Sequence, residues 1–570
     1  MPYNIVGIST GLAVEPTHIL QIIDSLQFGS ASIDNARAGR TNFGAQAFTS
    51  SAHVEMHSYG GVDPLVVYSG ASQAVKVSSV GNLIVTGSVD VSGSLSTVLG
   101  ATIQSLTIGK GGGDVATNTA NGYQTLYSNT TGINNTASGY KALHCNTTGN
   151  SNVAYGACAL RFNTTGVNNT ATGHMALMCN TTGNSNVAYG FFASTYNTIG
   201  CGNTASGYKA LMCNSTGNNN TASGFYALQL NTTGCNNTAS GRYALRNNTT
   251  GVNNTAHGFY ALRCNTTGCN NTASGYYALH SNTTGANNTA HGFYALRCNT
   301  TGCNNIASGY YALHSNTTGC NNTASGGYAL RCNTTGVNNT ASGYRALRCN
   351  TTGNNNTASG YRALHSNTTG YNNTASGRDA LYSNTTGDSN TTTGHSALYT
   401  NTTGYSNTAN GFLTLYHNTT GYGNTANGIE ALHTNTTGYR NTAVGDRAGY
   451  YLSGSATGNL YIGESSGPSS NTTENSKLYI NSGSGAPLIG GDFAVGTLNF
   501  KTVGGTTISG SFLVSGSTAG GTSVTVANGH IVFSQILTSS NYVDDTAAAA
   551  GGVPVGGLYR SGNSILIRVA

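Results

Sequence analysis

The side chains in this sequence that could hold a metal, attack a carbonyl or relay a proton are spaced in a way that argues against all three. There are fourteen histidines, and seven of them fall into two series. His257 and His291 form one, and His144, His280, His314, His365 and His433 the other, with members separated by multiples of seventeen residues. In a coil of that period, many of these rings stand too far apart to share an ion. Of thirteen cysteines, seven precede an Asn (Cys145, Cys179, Cys213, Cys264, Cys298, Cys332, Cys349) and five follow a Gly (Cys201, Cys235, Cys269, Cys303, Cys320), leaving Cys158. No C-x-x-C pair occurs, which disfavours zinc. Cys264 with Cys269, and Cys298 with Cys303, each bracket an N-T-T-G turn and admit a bridge. Free thiols filling small positions are the plainer reading. Carboxylates are too few and scattered for a glycosidase pair, and Asp544 and Asp545, near Tyr542, read as a loop feature. Catalysis gathers unlike residues at one place, whereas this sequence multiplies like residues along a line. No catalytic, cofactor-binding or metal residue is assigned, no cofactor is expected, and receptor-binding residues are not identified by pattern.

Two further chemistries attach to the Asn and Thr residues. Nearly every repeat carries N-T-T and N-N-T, which are formal N-glycosylation acceptors. In a bacterial or phage setting they are structural, and in a eukaryote or a virus of eukaryotes the rod would be densely glycosylated. Regular Thr rows raise ice binding, but Tyr, Arg and His interrupt the neighbouring places.

The positioning element is the repeat itself, N-T-T-G-x-N-N-T-A-S-G-Y-x-A-L-x-x, as at 333–349. Asn129 opens the first full unit and Asn435 the last of nineteen, in unbroken steps of seventeen. A Gly holds the fourth place from Gly132 to Gly438, and another the eleventh from Gly122 to Gly445. Leu fills the fifteenth from Leu126 to Leu432, with Ser194 the exception. A stacked coil demands such regularity because each turn must sit on the last. Seventeen residues are too few for a helix-turn-helix, and two Gly per unit oppose helix. The expectation is all-β: a parallel β-roll or β-solenoid of about nineteen turns, each with two short strands and two bends. N-T-T-G would make one bend, with its Gly at positive φ, and the second Gly the other bend or a close backbone approach. Ala at the ninth and fourteenth places and Leu at the fifteenth form the inner layer, and Asn and Thr stack in ladders. Nineteen turns about 4.8 Å apart would span roughly 90 Å.

Composition agrees with a thin, hydrogen-bonded structure: 7% of residues are charged, Trp is absent and Gly occurs 80 times. Thirty-four Tyr at mostly fixed places argue against disorder. The net charge of +6 hides an asymmetry, for residues 118–450 hold fourteen Lys or Arg against four Asp or Glu. Most sit at the twelfth, thirteenth and sixteenth places, as do Lys141, Arg246, Arg263, Arg297, Arg331 and Arg348, forming a sparse basic stripe along one edge. A solvated rim is the plain account, and attraction to acidic cell-surface polymers the functional one. No recognition module for nucleic acid appears.

The flanks divide the chain into five parts. Residues 1–29 form an attachment segment, with a short amphipathic helix following Thr17 and carrying Ile19, Leu20, Ile22, Ile23 and Leu26. Residues 30–111 form a short-strand region, 112–454 the repeat shaft, 455–510 a post-repeat β region and 511–570 a C-terminal β module. Strand-like turns continue at Leu460 and Leu478, and the chain's last part makes a hairpin around Ser561, Gly562 and Asn563. No charged leader with an apolar run is seen at the start, and no apolar stretch of about twenty residues, so neither a secretory signal nor membrane insertion is expected.

The phrase N-T-A-x-G-Y-x-A-L resembles the head repeats of trimeric autotransporter adhesins, as do Asn152-Val153-Ala154-Tyr155-Gly156 and Asn186-Val187-Ala188-Tyr189-Gly190. In N-T-T-G-spaced arrays it is also similar to bacteriophage tail-fibre proteins. Ser476 to Asn481, Pro487 to Phe493, the segment from Ala547 to Ala570 and the early His18 to Asp24 resemble passages of phage structural proteins. The resemblance implies a threefold bundle of left-handed β-rolls. The expected protein is a non-enzymatic virion fibre or spike for host attachment, a homotrimer. It would join other virion proteins through its N-terminal region and touch host-surface glycan or envelope. The alternative is a cell-surface adhesin or extracellular filament or sheath protein, located outside the cell.

Overall fold

The computed structural model of the chain describes residues 106–481, 483 and 487–500, with short strands at Gly7–Thr10, Thr41–Phe43, Leu65–Ser69, Ser72–Val77, Leu83–Val85, Ala101–Ile103, Leu558–Ser561 and Ser564–Ile567. Two compact units, Met1–Asn287 and Asn288–Ala570, share one architecture. Each is a parallel β-solenoid with a seventeen-residue turn, which lengthens to eighteen between Thr442 and Leu460 in the second unit. Ten three-residue strands run from Thr119–Asn121 to Thr272–Ser274 in the first, and eleven from Thr289–His291 to Leu460–Ile462 in the second. That is two turns more than the strict phrase predicts, because Thr119–Asn121 and Leu460–Ile462 stack in register although their sequences depart from it.

Each strand is the T-A-S segment at places eight to ten. Successive strands pair in parallel with like on like: Thr340 lies beside Thr323, Ala341 beside Ala324 and Ser342 beside Ser325. The alternation of a strand points the central Ala inward, fully buried, and leaves its neighbours outside. Ala346 and Leu347, at places fourteen and fifteen, complete the apolar core and are also fully buried.

The expected second strand does not form. A strand cannot bury two consecutive side chains on one face, and this core needs both Ala346 and Leu347. The backbone instead alternates in hand, with Arg345 at φ 58° and Leu347 at φ 50°. This conformation is costly for non-Gly residues, on the order of 1–3 kcal/mol each. It is held by hydrogen bonds between turns: Arg345 N to Gly327 O (2.9 Å), Leu347 N to Ala363 O (2.9 Å) and Cys349 N to His365 O (3.0 Å).

The role expected of the N-T-T-G glycine also changes. In this bend the left-handed residue is the sixth-place Asn, as in Asn338 at φ 57°, and the fourth-place Gly is not among the positive-φ residues. Gly353 is required for space, since a Cβ there would run into Gly370 O and Asn350 Oδ1. The eleventh-place Gly343 meets both demands: its φ is 131°, and a Cβ would collide with the backbone of Gly360.

Two columns of buried Asn run through each unit, as the sequence predicts. At place one, Asn350 Nδ2 donates to Asn333 Oδ1 (2.8 Å) and to Gly353 O (2.9 Å), while its own Oδ1 accepts from Asn367 (2.8 Å). At place seven, Asn356 donates from its backbone N (3.0 Å) and Nδ2 (3.1 Å) to Asn339 Oδ1, and from Nδ2 to Gly370 O (2.8 Å). Gly370 O also receives Asn367 Nδ2 at 2.9 Å, so the two columns meet on the fourth-place carbonyl. Thr at place two adds a third row, as Thr351 Oγ1 donates to Thr368 O (3.1 Å).

Antiparallel meanders adjoin the coils. Leu106–Gly109 pairs with Thr119–Asn121 and with Ala101–Ile103 in the first unit. In the second, Lys477–Ile480 stacks in parallel on Leu460–Ile462, then Ile489–Asp492 and Thr497–Phe500 follow antiparallel. The C-terminal hairpin forms with Ser561 opposite Ser564. Gly7–Thr10 pairs with Thr41–Phe43, across the boundary drawn at 29/30. The helix expected after Thr17, and Asp544 and Asp545, lie outside the described residues.

The ladder makes a measurable demand. Asn350→Ala strands the amide of Asn367 and the carbonyl of Asn333, at about 1–3 kcal/mol for each unpaired buried group. Urea unfolding should show a clear loss for Asn350→Ala and a change within about 0.5 kcal/mol for the exposed Thr352→Ala.

Candidate binding edge

With places fourteen and fifteen turned inward, places twelve, thirteen and sixteen are left to form one outer edge in each unit. The residues there are large and their rings stack from turn to turn. In the first unit His174, Phe191, Tyr208 and Phe225 form one such run at centroid spacings of 5.0, 5.7 and 5.1 Å. Tyr226, Tyr243 and Tyr260 form another, at 5.5 and 4.9 Å with planes within 7°. In the second unit the sixteenth place carries Tyr382, Tyr399, Tyr416, His433 and Tyr450, spaced 5.1, 5.2, 5.5 and 4.9 Å. Tyr405, Tyr422 and Tyr439, at place five, form a separate column at 4.8 and 4.7 Å.

The basic residues expected on an edge lie among these rings. Lys141 sits 5.2 Å from the Tyr140 centroid, Arg246 5.6 Å from Tyr226 and Arg263 5.1 Å from Tyr260 in the first unit. Arg297 lies 5.3 Å from Tyr294 and Arg331 5.6 Å from Tyr328 in the second. Such contacts are worth about 0.5–1 kcal/mol at exposed sites. Arg348 lies beside Cys349, Nη1 to Sγ 3.8 Å. The cation–π packing is not apparent from sequence spacing alone, although Tyr recurring at places twelve and thirteen among Arg residues is its signal.

Carboxylates are scarce on this edge: residues 115–378 contain no Asp or Glu. Asp379 Oδ1 lies 3.0 Å from Arg362 Nε without hydrogen-bonding alignment, and its Oδ2 accepts from Arg378 Nε at 3.3 Å. Glu430 pairs with Arg447 at 2.9 Å. Uncompensated charge registers on the half-buried histidines. His314 is pushed down to about 4 by burial and by Arg297 and Arg331, and His365 to about 4 by burial, Arg348, Arg362 and Arg345.

The remaining candidate groups do not converge. Among the described residues no three His, Cys, Asp or Glu side chains are placed to hold a metal ion. No helix among them is long and apolar enough to cross a membrane. All thirteen cysteines are free thiols, including the bracketing pairs Cys264 with Cys269 and Cys298 with Cys303. Burial raises the thiols of Cys179, Cys213, Cys264 and Cys349. The close sulfur pair lies across turns instead, with Cys303 Sγ 2.9 Å from Cys320 Sγ. A cluster that the spacing does not reveal stands near the C-terminal end of the coil. There Tyr461 replaces the inward Ala, and Glu474 accepts from its hydroxyl at 2.6 Å and from that of Tyr479 at 3.2 Å. Burial, reinforced by Glu474, pushes the Tyr479 phenol up to about 12 and that of Tyr461 higher still.

Comparison with protein-family models, curated proteins and solved structures gave no match.

Two outcomes test the edge. Between pH 6.5 and about 4 the unfolded chain protonates His314 and His365 while the folded chain resists, so stability falls as pH drops through that window. Replacing both by Gln should flatten the dependence of the urea midpoint on pH, and an unchanged slope would show that these rings do not titrate as described. Cys303 and Cys320 stand one turn, or about 4.8 Å, apart, within the reach of a disulfide. A small-molecule disulfide that takes up their two electrons and two protons should yield a Cys303–Cys320 bridge on non-reducing peptide mapping. A Cys264–Cys269 or Cys298–Cys303 bridge in its place would contradict this geometry.

Proposed function

We propose that this chain is a non-enzymatic fibrous virion protein, a tail fibre or spike, that attaches a particle to a host surface as a homotrimer. The supporting observation is the form of the edge. It repeats aromatic and basic side chains turn after turn. A surface of this kind suits binding by many weak contacts, and three copies per fibre would raise avidity without any single strong one. Residues 1–29 would join the other virion proteins, and host glycan or envelope would meet the repeat edge or a terminal module. The resemblance of the repeat phrase to adhesin heads supports a second reading, a cell-surface adhesin or filament, with the same chemistry of contact.

Purified full-length chain should have three times the 58.1 kDa chain mass by sedimentation equilibrium. It should also adsorb to host cells and block particle adsorption without releasing sugar. A monomer would refute the trimer, and failure to adsorb to any host of the particle would refute attachment.

A further inference from the structure

The basic edge is not uniform, and its densest part lies in the second unit. Arg331 and Arg348 occupy the sixteenth place of successive turns, and Arg345 and Arg362 the thirteenth. A parallel ladder sets such pairs about 4.8 Å apart along the coil, so like charges stack. Asp379 serves Arg362 and Arg378, but among the described residues no carboxylate pairs with Arg331, Arg345 or Arg348. Two of them lie over rings, Arg345 5.0 Å from Tyr344 and 5.8 Å from Tyr328 and Arg331 5.5 Å from Tyr311, and Arg348 Nη1 lies 3.8 Å from Cys349 Sγ. The Nε atoms of Arg345 and Arg348 are closed off from solvent without an acceptor, which leaves recognition to the terminal nitrogens of the guanidinium groups.

The rings beside these arginines limit what can bind. Tyr344 and Tyr361 are about two-fifths exposed, yet they lie face to face, 5.7 Å apart with planes 16° from parallel. A single-stranded nucleic acid gains most from stacking its bases on open ring faces. Here each of the two rings covers one face of the other. Phenol hydroxyls and guanidinium nitrogens are hydrogen-bonding partners for sugar hydroxyls and carboxylates. One turn of about 4.8 Å is also on the order of the length of a sugar ring, so a glycan strand can present a new acid to each turn or two.

We propose that the edge formed by Arg331, Arg345 and Arg348, with Tyr344 and Tyr361, binds a carboxylated polysaccharide laid along the ladder. The proposal deepens the attachment reading and rests on it for its biological setting. The guanidinium groups take the carboxylates, and the tyrosines supply hydrogen bonds at the ring edges. Selectivity comes from matched spacing, and the affinity is weak per turn and salt-sensitive.

The test uses the full-length chain, with polygalacturonate as probe and its methyl ester, neutral dextran and duplex DNA as comparators. Binding to polygalacturonate should weaken about tenfold or more in the Arg331→Gln, Arg345→Gln, Arg348→Gln triple variant, each tenfold being about 1.4 kcal/mol. Methyl esterification should abolish binding and dextran should not bind. The corresponding triple Lys variant, which keeps the charge and the aliphatic cover, should retain part of the affinity and guards against a folding artefact. Equal binding by the wild-type and Gln variant, equal binding of the ester, or tighter binding of duplex DNA would overturn the proposal. Host adsorption separates the two levels. If the Gln variant binds both polygalacturonate and cells as well as wild type, the site fails and attachment stands. If polygalacturonate binding is lost in the variant but the wild type binds no host cell, the site stands and the attachment reading fails.

Discussion

Everything in these coils depends on the fourth-place carbonyl, where two columns of buried asparagine meet. In the second unit Gly370 O takes one hydrogen bond from Asn367 and another from Asn356, the two donors belonging to different turns and different columns. Within a column each Asn spends both amide hydrogens and its oxygen in this network, and only at the column's end does Asn435 keep a buried Oδ1 without a donor. No other side chain of this size offers a donor and an acceptor in the same plane, and a charged Asp would stack like charges. The constraint also explains the thin apolar layer. With Asn columns inside, only two Ala and one Leu per turn are needed to close the section. The cohesion between turns is largely polar and directional.

From that constraint the glycines follow. A side chain at Gly353 would occupy the volume needed by Asn350 Oδ1 and the carbonyl above it. Fourth-place Gly is thus a consequence of close stacking, whereas the left-handed backbone of the bend belongs to Asn338. Sequence pattern names the glycine as special but does not say which of its two virtues is in use. It shows far better what lies inside: Ala341, Ala346 and Leu347 are buried as the near-constancy of their places within the chain implies. Ala346 and Leu347 also hold the clue to the missing second strand, since two adjacent inward residues are incompatible with a pleat. Local conformation was obscured because left-handed φ at Leu or Arg is favoured by no intrinsic propensity and is imposed by hydrogen bonds between turns.

The outer edge is legible in a different degree. Seventeen-residue spacing places Arg331 above Arg348 and Tyr399 above Tyr382 without any structure. Which ring covers which cation, and which cation lacks a carboxylate, depends on side-chain directions that spacing leaves open. Electrostatics on this edge come from omission as much as presence, since acids are excluded from a long tract while arginine recurs. The histidines record the resulting potential, as His365 is held neutral by burial and by three guanidinium groups around it.

The in-register pairing of like residues has an evolutionary side. Because Thr340, Ala341 and Ser342 meet the same residues below and above, the strand pairing is alike from turn to turn within each unit, with few departures such as Thr392 beside Ala375. Recombination between homologous repeats can therefore delete or duplicate whole turns without creating a foreign interface or disturbing the terminal meanders. A lineage carrying such a gene can change the number and order of its edge motifs by copying errors alone, and the step from Asn441 to Asn459 shows that an Asn column also carries across a turn one residue longer.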